Sequence, residues 1–391
     1  MPSHTPPYRY VVLGAGRQGT AAAYDLAKFG EAGEILLADL QGETAQAAAE
    51  RVDRLVGREV AQGRQIDVSD PAELKAALAG ADVVLSAVPY YYNLEITRTA
   101  IGVGASLCDM GGHTGVVREQ LALDANAKAA GVSVVPDCGM GPGLNITMGA
   151  YAIELLDEPR AIHIYDGGLP QNPQPPWLYQ LTFHINGLTN EMDGQAVYVR
   201  ERRIVYVDTL SEPEFVDFPP LGKLEADVTS GGLSTAPWYF QNLVERFENK
   251  TLRYPGHFEW LRAFKELGLF SETHIDVDGQ EVVPRQLFHT LLEPKITAPE
   301  IHDVCVIRVK GLGIKDGKET TVVIDLIDYY DPATGFTAME RLTGWHCAIM
   351  MGFQARGQVP PGGVSMEGAV KPSVFMEAVR ERGIEFTVRY E

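Results

Sequence analysis

The chain opens on an apolar run, Tyr8-Arg9-Tyr10-Val11-Val12-Leu13. It passes directly into Gly14-Ala15-Gly16-Arg17-Gln18-Gly19 and then into an Ala-rich stretch with helical spacing. This order predicts a strand over 9–13, a glycine turn and a helix over 17–29. The alternation continues with strand 34–39, helix 43–56 and a short strand near Gln65-Ile66-Asp67-Val68. Helix 71–80 follows, with Asp70 as N-cap and Pro71 at the first helical position. Strand 81–88 is stopped by Pro89, and then come helix 93–103, strand 105–109, helix 116–130 and strand 132–136. Six apolar strands separated by helices predict an α/β fold: a Rossmann, doubly wound parallel sheet covered on both faces.

Past residue 160 the period changes. Ala161–Asp166 alternates like a half-exposed strand, and Arg203–Val207, Val304–Val309 and Thr320–Leu326 read alike, with a turn at Lys315-Asp316-Gly317-Lys318. These runs predict antiparallel pairing in an α+β domain. Pro-rich stretches at 170–176 and 213–220 separate its pieces. The tail resumes helical patterning, with a buried apolar segment at 343–352 and an amphipathic helix at 371–382 after Lys371-Pro372. The expected organisation is a dinucleotide-binding domain over 1–145, completed by 341–391, with an inserted α+β domain over 146–340.

The glycines have separate duties. Gly14 permits the tight turn, Gly16 keeps side-chain bulk away from phosphates, and Gly19 lets the helix pack close to the strand; Arg17 and Gln18 sit in the same loop. Asp39 ends the second strand twenty residues after Gly19. A carboxylate there accepts both ribose hydroxyls of an adenosine and repels a 2′-phosphate. Leu40 and Gln41 supply no Arg to neutralise one, so NAD is expected over NADP. Ligands of such sheets lie beyond the carboxyl ends of the strands. That rule places Asp67 and Val68 beside adenine, Ala87, Val88 and Pro89 against pyrophosphate and ribose, and Asp109 and Met110 nearest the nicotinamide. For Asp67, a turn-forming role is an equal alternative. Tyr90-Tyr91-Tyr92 either walls the nicotinamide pocket or packs on a helix.

Composition narrows the partners. With 391 residues the chain exceeds one ordinary core. The formal net charge of −19 disfavours nucleic acid and anionic membrane. Four widely spaced cysteines form no C-x-x-C, and residues 1–10 hold no apolar signal core. No apolar run approaches the ~20 residues that cross a bilayer. A cytoplasmic protein is expected. Nine histidines show no H-E-x-x-H and no clustered carboxylates, so no metal is expected.

Three further signatures are Pro136-Asp137-Cys138-Gly139-Met140-Gly141-Pro142-Gly143-Leu144-Asn145, Tyr165-Asp166-Gly167-Gly168-Leu169-Pro170 and Thr251-Leu252-Arg253-Tyr254-Pro255-Gly256-His257. Between the last two lies Leu224–Thr235, with Ser230-Gly231-Gly232-Leu233-Ser234. With the amino-terminal fingerprint, in this order, they resemble the saccharopine dehydrogenase superfamily, nearest its L-lysine 6-dehydrogenase and saccharopine reductase-like branch. The resemblance covers nearly the whole chain. It implies a Rossmann domain interrupted by a substrate and dimerisation domain, hence a homo-oligomer. It also implies oxidation of a lysine-type C–N centre with a nicotinamide cofactor and a small amino-acid substrate.

That chemistry needs a proton acceptor, a clamp for the α-carboxylate and a wall that positions the carbon. His257 is the first candidate for proton transfer, since an imidazole titrates near neutrality; a turn histidine satisfied by backbone is the alternative. Arg253 is the candidate clamp, because its planar fork can bond both carboxylate oxygens. Asp109 either orients the amine or is structural, and Tyr165 either lines the substrate pocket or belongs to the core. Hydride transfer from an amine needs no thiol, so Cys138 is not expected to act as a nucleophile. Oxidation of L-lysine to an ε-aldehyde is the first expectation. A saccharopine-type secondary amine is the second, and it demands further cations, for which Arg200, Arg202, Arg203, Lys223 and Arg253 are available. A non-catalytic NAD-binding regulator is the third.

Overall fold

The computed structural model describes residues 5–391. In the first lobe, strands β1 (Tyr8–Leu13), β2 (Ala32–Asp39), β3 (Ala61–Gln65), β4 (Val83–Ser86), β5 (Ser106–Asp109) and β6 (Ser133–Val135) alternate with helices. These are α1 (Arg17–Phe29), α2 (Gly42–Val56), α3 (Pro71–Leu78), α4 (Asn93–Val103), α5 (Thr114–Leu121) and α6 (Asp124–Ala130). The predicted helix 116–130 is thus two helices, and the third strand ends before Asp67. Asp70 caps α3 as expected, accepting Ala72 N at 2.7 Å and Glu73 N at 3.1 Å.

Helix α7 (Leu144–Glu154) leads to β7 (Glu158–Pro170), α8 (Ile185–Met192), β8 (Gln195–Arg200), β9 (Arg203–Asp208), β10 (Glu214–Phe218) and β11 (Gly222–Asp227). Next come α9 (Ala236–Phe240), β12 (Arg246–Arg253), α10 (His257–Glu266), β13 (Ile275–Val277), β14 (Gln280–Val282), α11 (Pro284–Ile296), β15 (Asp303–Lys315) and β16 (Lys318–Tyr329). The tail adds α12 (Ala338–Glu340), a π-helical turn at Arg341–Trp345, α13 (His346–Ala355), β17 (Gly362–Gly363), α14 (Met366–Ala369), α15 (Pro372–Glu381) and β18 (Phe386–Tyr390).

The first sheet runs β17-β6-β5-β4-β1-β2-β3, parallel throughout. The alternation of β1 divides the core. Val11 and Leu13 pack with Leu74, Ala77, Ile96 and Ala100 of α3 and α4. Tyr10 and Val12 pack on the other face with the alanines of α1 and α2 and with Ile349 and Met351 of α13. Removing both faces of such a strand from water is worth roughly 1.5–3 kcal/mol per Val or Leu, which is why its sequence is apolar without interruption.

The second sheet runs β10-β11-β12-β7-β15-β16-β18, with β8 and β9 appended at β12. It is mixed rather than purely antiparallel, because β12 lies parallel to β7. The tail does not return to the first lobe alone: β17 extends the first sheet beside β6, while β18 pairs with β16 on the edge of the second. Two buried ties fix this path. The carboxylate of Asp303 accepts Ala338 N at 2.7 Å and Met339 N at 2.9 Å. Arg382 pairs with buried Asp25 of α1 at 2.8 Å. One continuous core joins Ile162, Ile164, Phe247 and Ile307 of the second lobe to the α1 and α13 side of the first. Among the described residues no helix is long and apolar enough to cross a membrane, and no cluster of three or more His, Cys, Asp or Glu could hold a metal ion.

Candidate active site

Helix α1 begins at Gly16 with no side chain capping it and no acid in its first turn, so its first N–H groups and positive dipole end face outward. Gly14 has φ +99°, and a Cβ there would stand 2.5 Å from the Ala87 carbonyl oxygen. A Cβ at Gly19 would stand 2.0 Å from the Gly14 carbonyl oxygen. Both glycines are demanded by the fold itself. Gly16 is different: a Cβ there would have nothing within 4 Å. It borders open space at the helix mouth, and a pyrophosphate fits such a cradle.

Asp39 is fixed at the tip of β2 by two backbone donors, Ala15 N at 3.0 Å and Gln41 N at 3.0 Å. Each carboxylate oxygen keeps lone-pair capacity for a ribose hydroxyl. Ala87 N donates to Leu13 O at 2.7 Å, Val88 packs on the core, and Pro89 opens the turn Tyr90–Tyr92. Arg17 is exposed, 3.9 Å from Glu340. Gln18 reaches across the lobes to donate to Thr182 O at 3.4 Å. Met110 is half-buried against the core. Asp67 takes the turn-forming alternative: its exposed carboxylate accepts the Ser69 N–H at 2.8 Å and hydroxyl at 2.6 Å, which holds it below the usual carboxylate range. Val68 packs beside it on the core.

Three expectations for the chemical end are corrected. Asp109 is fully buried, and its carboxylate accepts Gln120 Nε2 at 2.7 Å, Gly111 N at 2.8 Å and Asp137 N at 3.2 Å. It organises the loops at the ends of β5 and β6 and touches no open space. His257 is also fully buried, the first residue of α10, among Tyr179, Phe258 and Trp260. Its Nδ1 faces the Trp177 carbonyl at 3.4 Å, and burial, then the nearby Arg253 charge, pushes its pKa well below the ordinary value. A neutral ring enclosed by aromatics is not a solvent-coupled proton acceptor. Tyr165 points to the wrong side. Alternation along β7 sends Asp166 toward α7 and Tyr165 to the outer face. There it donates to Glu214 at 3.3 Å and lines a cavity of about 370 Å³ with Arg200, Glu212, Glu248 and Lys250.

Arg253 ends β12, 2% exposed. It donates to Leu252 O at 2.9 Å and to Glu191 at 3.3 Å and lies over the Tyr179 ring, while its Nε has no partner. Around it the sequence reading missed a polar network. Asp166 accepts from Asn249 and, at 3.5 Å, from Asn145; Asn145 also donates to Gly232 O at 3.0 Å. Asp137, at the end of β6, accepts from Ser234 of the second lobe. Ser234, Asn249, Thr229 and Gly232 line an interlobe cavity of about 60 Å³ together with Thr114 of the first lobe. All of these except Tyr179, Glu191, Thr114 and Asn249 fall inside the motifs quoted above. The motifs were legible as segments that meet between the lobes; which side chains pointed inward was not.

Burial pushes Asp166 up to about 6, Glu191 to about 7 and Asp137 to about 8, in the last case reinforced by Asp109 and Glu367. Carboxyls raised in the folded state bind protons that the unfolded chain releases. Their stabilisation is present below the unfolded carboxylate pKa and is lost as pH rises through the folded values. The expected outcome is a melting temperature that falls between pH 6.5 and pH 8.5 in thermal denaturation. A flat or rising profile would contradict these assignments. Below pH 6.5 the trend is opposed by His257 and His346, both held neutral by burial.

Residues 10–135 match the family model described as the saccharopine dehydrogenase NADP binding domain, and residues 139–384 match the saccharopine dehydrogenase C-terminal domain. Among curated relatives, the NADP-dependent, L-glutamate-forming saccharopine dehydrogenase of Saccharomyces cerevisiae is 22% identical over 60% of this chain, a match spanning about half (54%) of that enzyme. Its Pyricularia oryzae counterpart is 21% identical, covering 82% of this chain and 87% of the relative. The carboxyaminopropylagmatine dehydrogenase of Synechocystis is 22% identical over 96% of both chains. The apo saccharopine dehydrogenase structure from S. cerevisiae superposes with a TM-score of 0.79 at 19% identity, over 98% of this chain and 100% of that one. Homospermidine synthase from Legionella pneumophila, in complex with NAD, gives 0.66 at 13% identity over 99% and 92%. Two domain models that follow one another along the chain, and a fold shared with the yeast enzyme from end to end, mean that this chain belongs to the saccharopine dehydrogenase family.

Proposed function

We propose that the chain is an NAD-dependent dehydrogenase that oxidises the C–N centre of L-lysine or a close relative carrying one carboxylate, giving an imine and then a semialdehyde. One observation favours this over a saccharopine-type substrate: of the five second-lobe cations named from the sequence, Arg253 alone is buried. Arg200 is held by Glu212 and Glu248 on the outer face. Arg202 sits in the exposed β8–β9 turn, Arg203 is exposed at the start of β9, and Lys223 lies over the exposed Phe215 ring. A tricarboxylate would leave charges unmatched; a monocarboxylate amine suits one Arg flanked by Asp166 and Glu191. The relatives named for secondary amines set the rival reading.

The fit to a dinucleotide rests on the open cradle at Gly16, the uncapped α1 mouth and Asp39. When bound, the cofactor supplies the hydride acceptor. The chain's own work is to bind and orient. The α1 mouth receives the pyrophosphate, Asp39 the ribose and Arg253 the substrate carboxylate, while the buried network of Asn145, Asp166 and Asn249 keeps bulk water from the reacting carbon. Leu40 is exposed and Gln41 follows it, so the two residues directly after Asp39 supply no cation for a 2′-phosphate. Asp39→Ala is expected to raise the KM for NAD about tenfold, the loss of roughly 1.4 kcal/mol, and to relax discrimination against NADP. Unchanged constants for both cofactors in initial-rate assays would refute the assignment.

The test of the function is a spectrophotometric screen at alkaline pH for NADH and NADPH formation with lysine, ornithine, diamines and saccharopine. Turnover of lysine with NAD is expected. Turnover of saccharopine alone establishes the rival, and uptake of neither cofactor by folded protein removes the enzyme reading.

A further inference from the structure

We propose that Ser234 and Asp137 form a proton relay at the interlobe cavity: Ser234 takes a proton from the substrate nitrogen and passes its own to the Asp137 carboxylate. This rests on the amine-dehydrogenase reading above and names the proton acceptor that His257 and Asp109 do not provide.

Four features converge on the pair. Ser234 is on the wall of the interlobe cavity, and its hydroxyl donates to Asp137 Oδ2 from the opposite lobe. Asp137 is held with φ +65°, in the left-handed region that costs a non-glycine residue free energy, so the loop after β6 is bent to present it. Gly111 makes room for the same group: a Cβ there would stand 2.1 Å from Asp137 Oδ1. Asp109 anchors both sides of this arrangement, accepting from Gly111 N and Asp137 N. The charged groups acting on Asp137 are Asp109 from β5 and Glu367 from α14, both acids, and with burial they raise it to about 8. An acceptor in that range matches the deprotonation of an alkyl ammonium better than an ordinary carboxylate does.

The proton balance closes without another reactant. The substrate ammonium loses one proton, one O–H bond at Ser234 forms as another breaks, and one O–H bond forms at Asp137. The neutral amine is then ready to lose hydride, and Asp137 returns its proton to water after product leaves. Asp137 must begin ionised, so kcat is expected to climb as pH rises through about 8.

The experiment compares the full-length protein with Asp137→Asn, Ser234→Ala and Ser234→Thr in kcat and KM from pH 6.5 to 10, with NADH binding followed by fluorescence. Asp137→Asn keeps shape and an acceptor oxygen but cannot titrate. It is expected to lower kcat about 100-fold and to erase the limb near pH 8, with NADH affinity within about threefold. Ser234→Ala is expected to lower kcat at least about tenfold, and Ser234→Thr, which keeps the hydroxyl but adds a β-branch at φ +39°, to restore part of it. A wild-type rate and pH profile in Asp137→Asn, or a Ser234→Ala that binds and turns over normally, overturns the relay and leaves the pair a simple tie between lobes. Wild-type protein that binds cofactor yet oxidises no amine overturns the functional reading, and the relay with it.

Discussion

Arg253→Ala is expected to raise the KM for the amine substrate about 100-fold, equivalent to roughly 3 kcal/mol of lost charge-assisted hydrogen bonding. The KM for NAD should stay within about twofold. The guanidinium is 2% exposed, stacks over Tyr179 and keeps its Nε donor free of any protein partner. An unpartnered cationic donor in the interior is costly unless a ligand completes it. The substitution also strips the counter-charge from Glu191, already raised to about 7 by burial, and its carboxyl should rise further. Arg253→Lys should recover only a small part of the loss, since a point charge cannot reproduce a planar fork. Initial-rate kinetics with each substrate varied in turn decide the matter; equal effects on the two Michaelis constants would sink the clamp.

The second large effect concerns Gly19. An added methyl at Gly19 would meet the Gly14 carbonyl oxygen of the β1–α1 turn at 2.0 Å and Val12 Cγ1 of β1 at 3.2 Å. Gly19→Ala therefore has to push α1 off the sheet, an overpacking cost of about 1–3 kcal/mol. A melting temperature several degrees lower and an NAD affinity weakened more than about tenfold are expected together. Gly16→Ala is the control. Its methyl meets nothing in the protein, so affinity should fall while the melting temperature holds. Calorimetric binding with a thermal melt separates the two. Parallel behaviour of both variants would mean that Gly16 does not border the phosphate site.

The parallel sheet was readable because its inner strands, such as β1 and β4, are apolar on both faces, whereas the polar edge strand β3 was read a few residues late. The second sheet was read less well. Strands β7 and β12 are distant in sequence, and nothing in their alternation says that they run parallel. Strand β18 was not foreseen at all: it is short, and its pairing with β16 joins segments far apart in sequence. The same limit applies to side chains. Thr251–His257 reads as one turn in sequence, yet it is a strand end, a turn and a helix start. That geometry sends His257 into the aromatic cluster, away from the cavity.

By itself, then, the sequence determined the dinucleotide lobe: the glycine corner, the acid at the tip of β2 and the strand–helix order are all local patterns within a few dozen residues. Tertiary structure alone decided the chemical end. Whether a carboxyl or an imidazole meets a substrate depends on which face of a strand it occupies and on what the opposite lobe brings to it. Asp109, His257 and Tyr165 were turned elsewhere by that packing, and Asp137 acquired its setting only when Ser234, about a hundred residues away, closed on it.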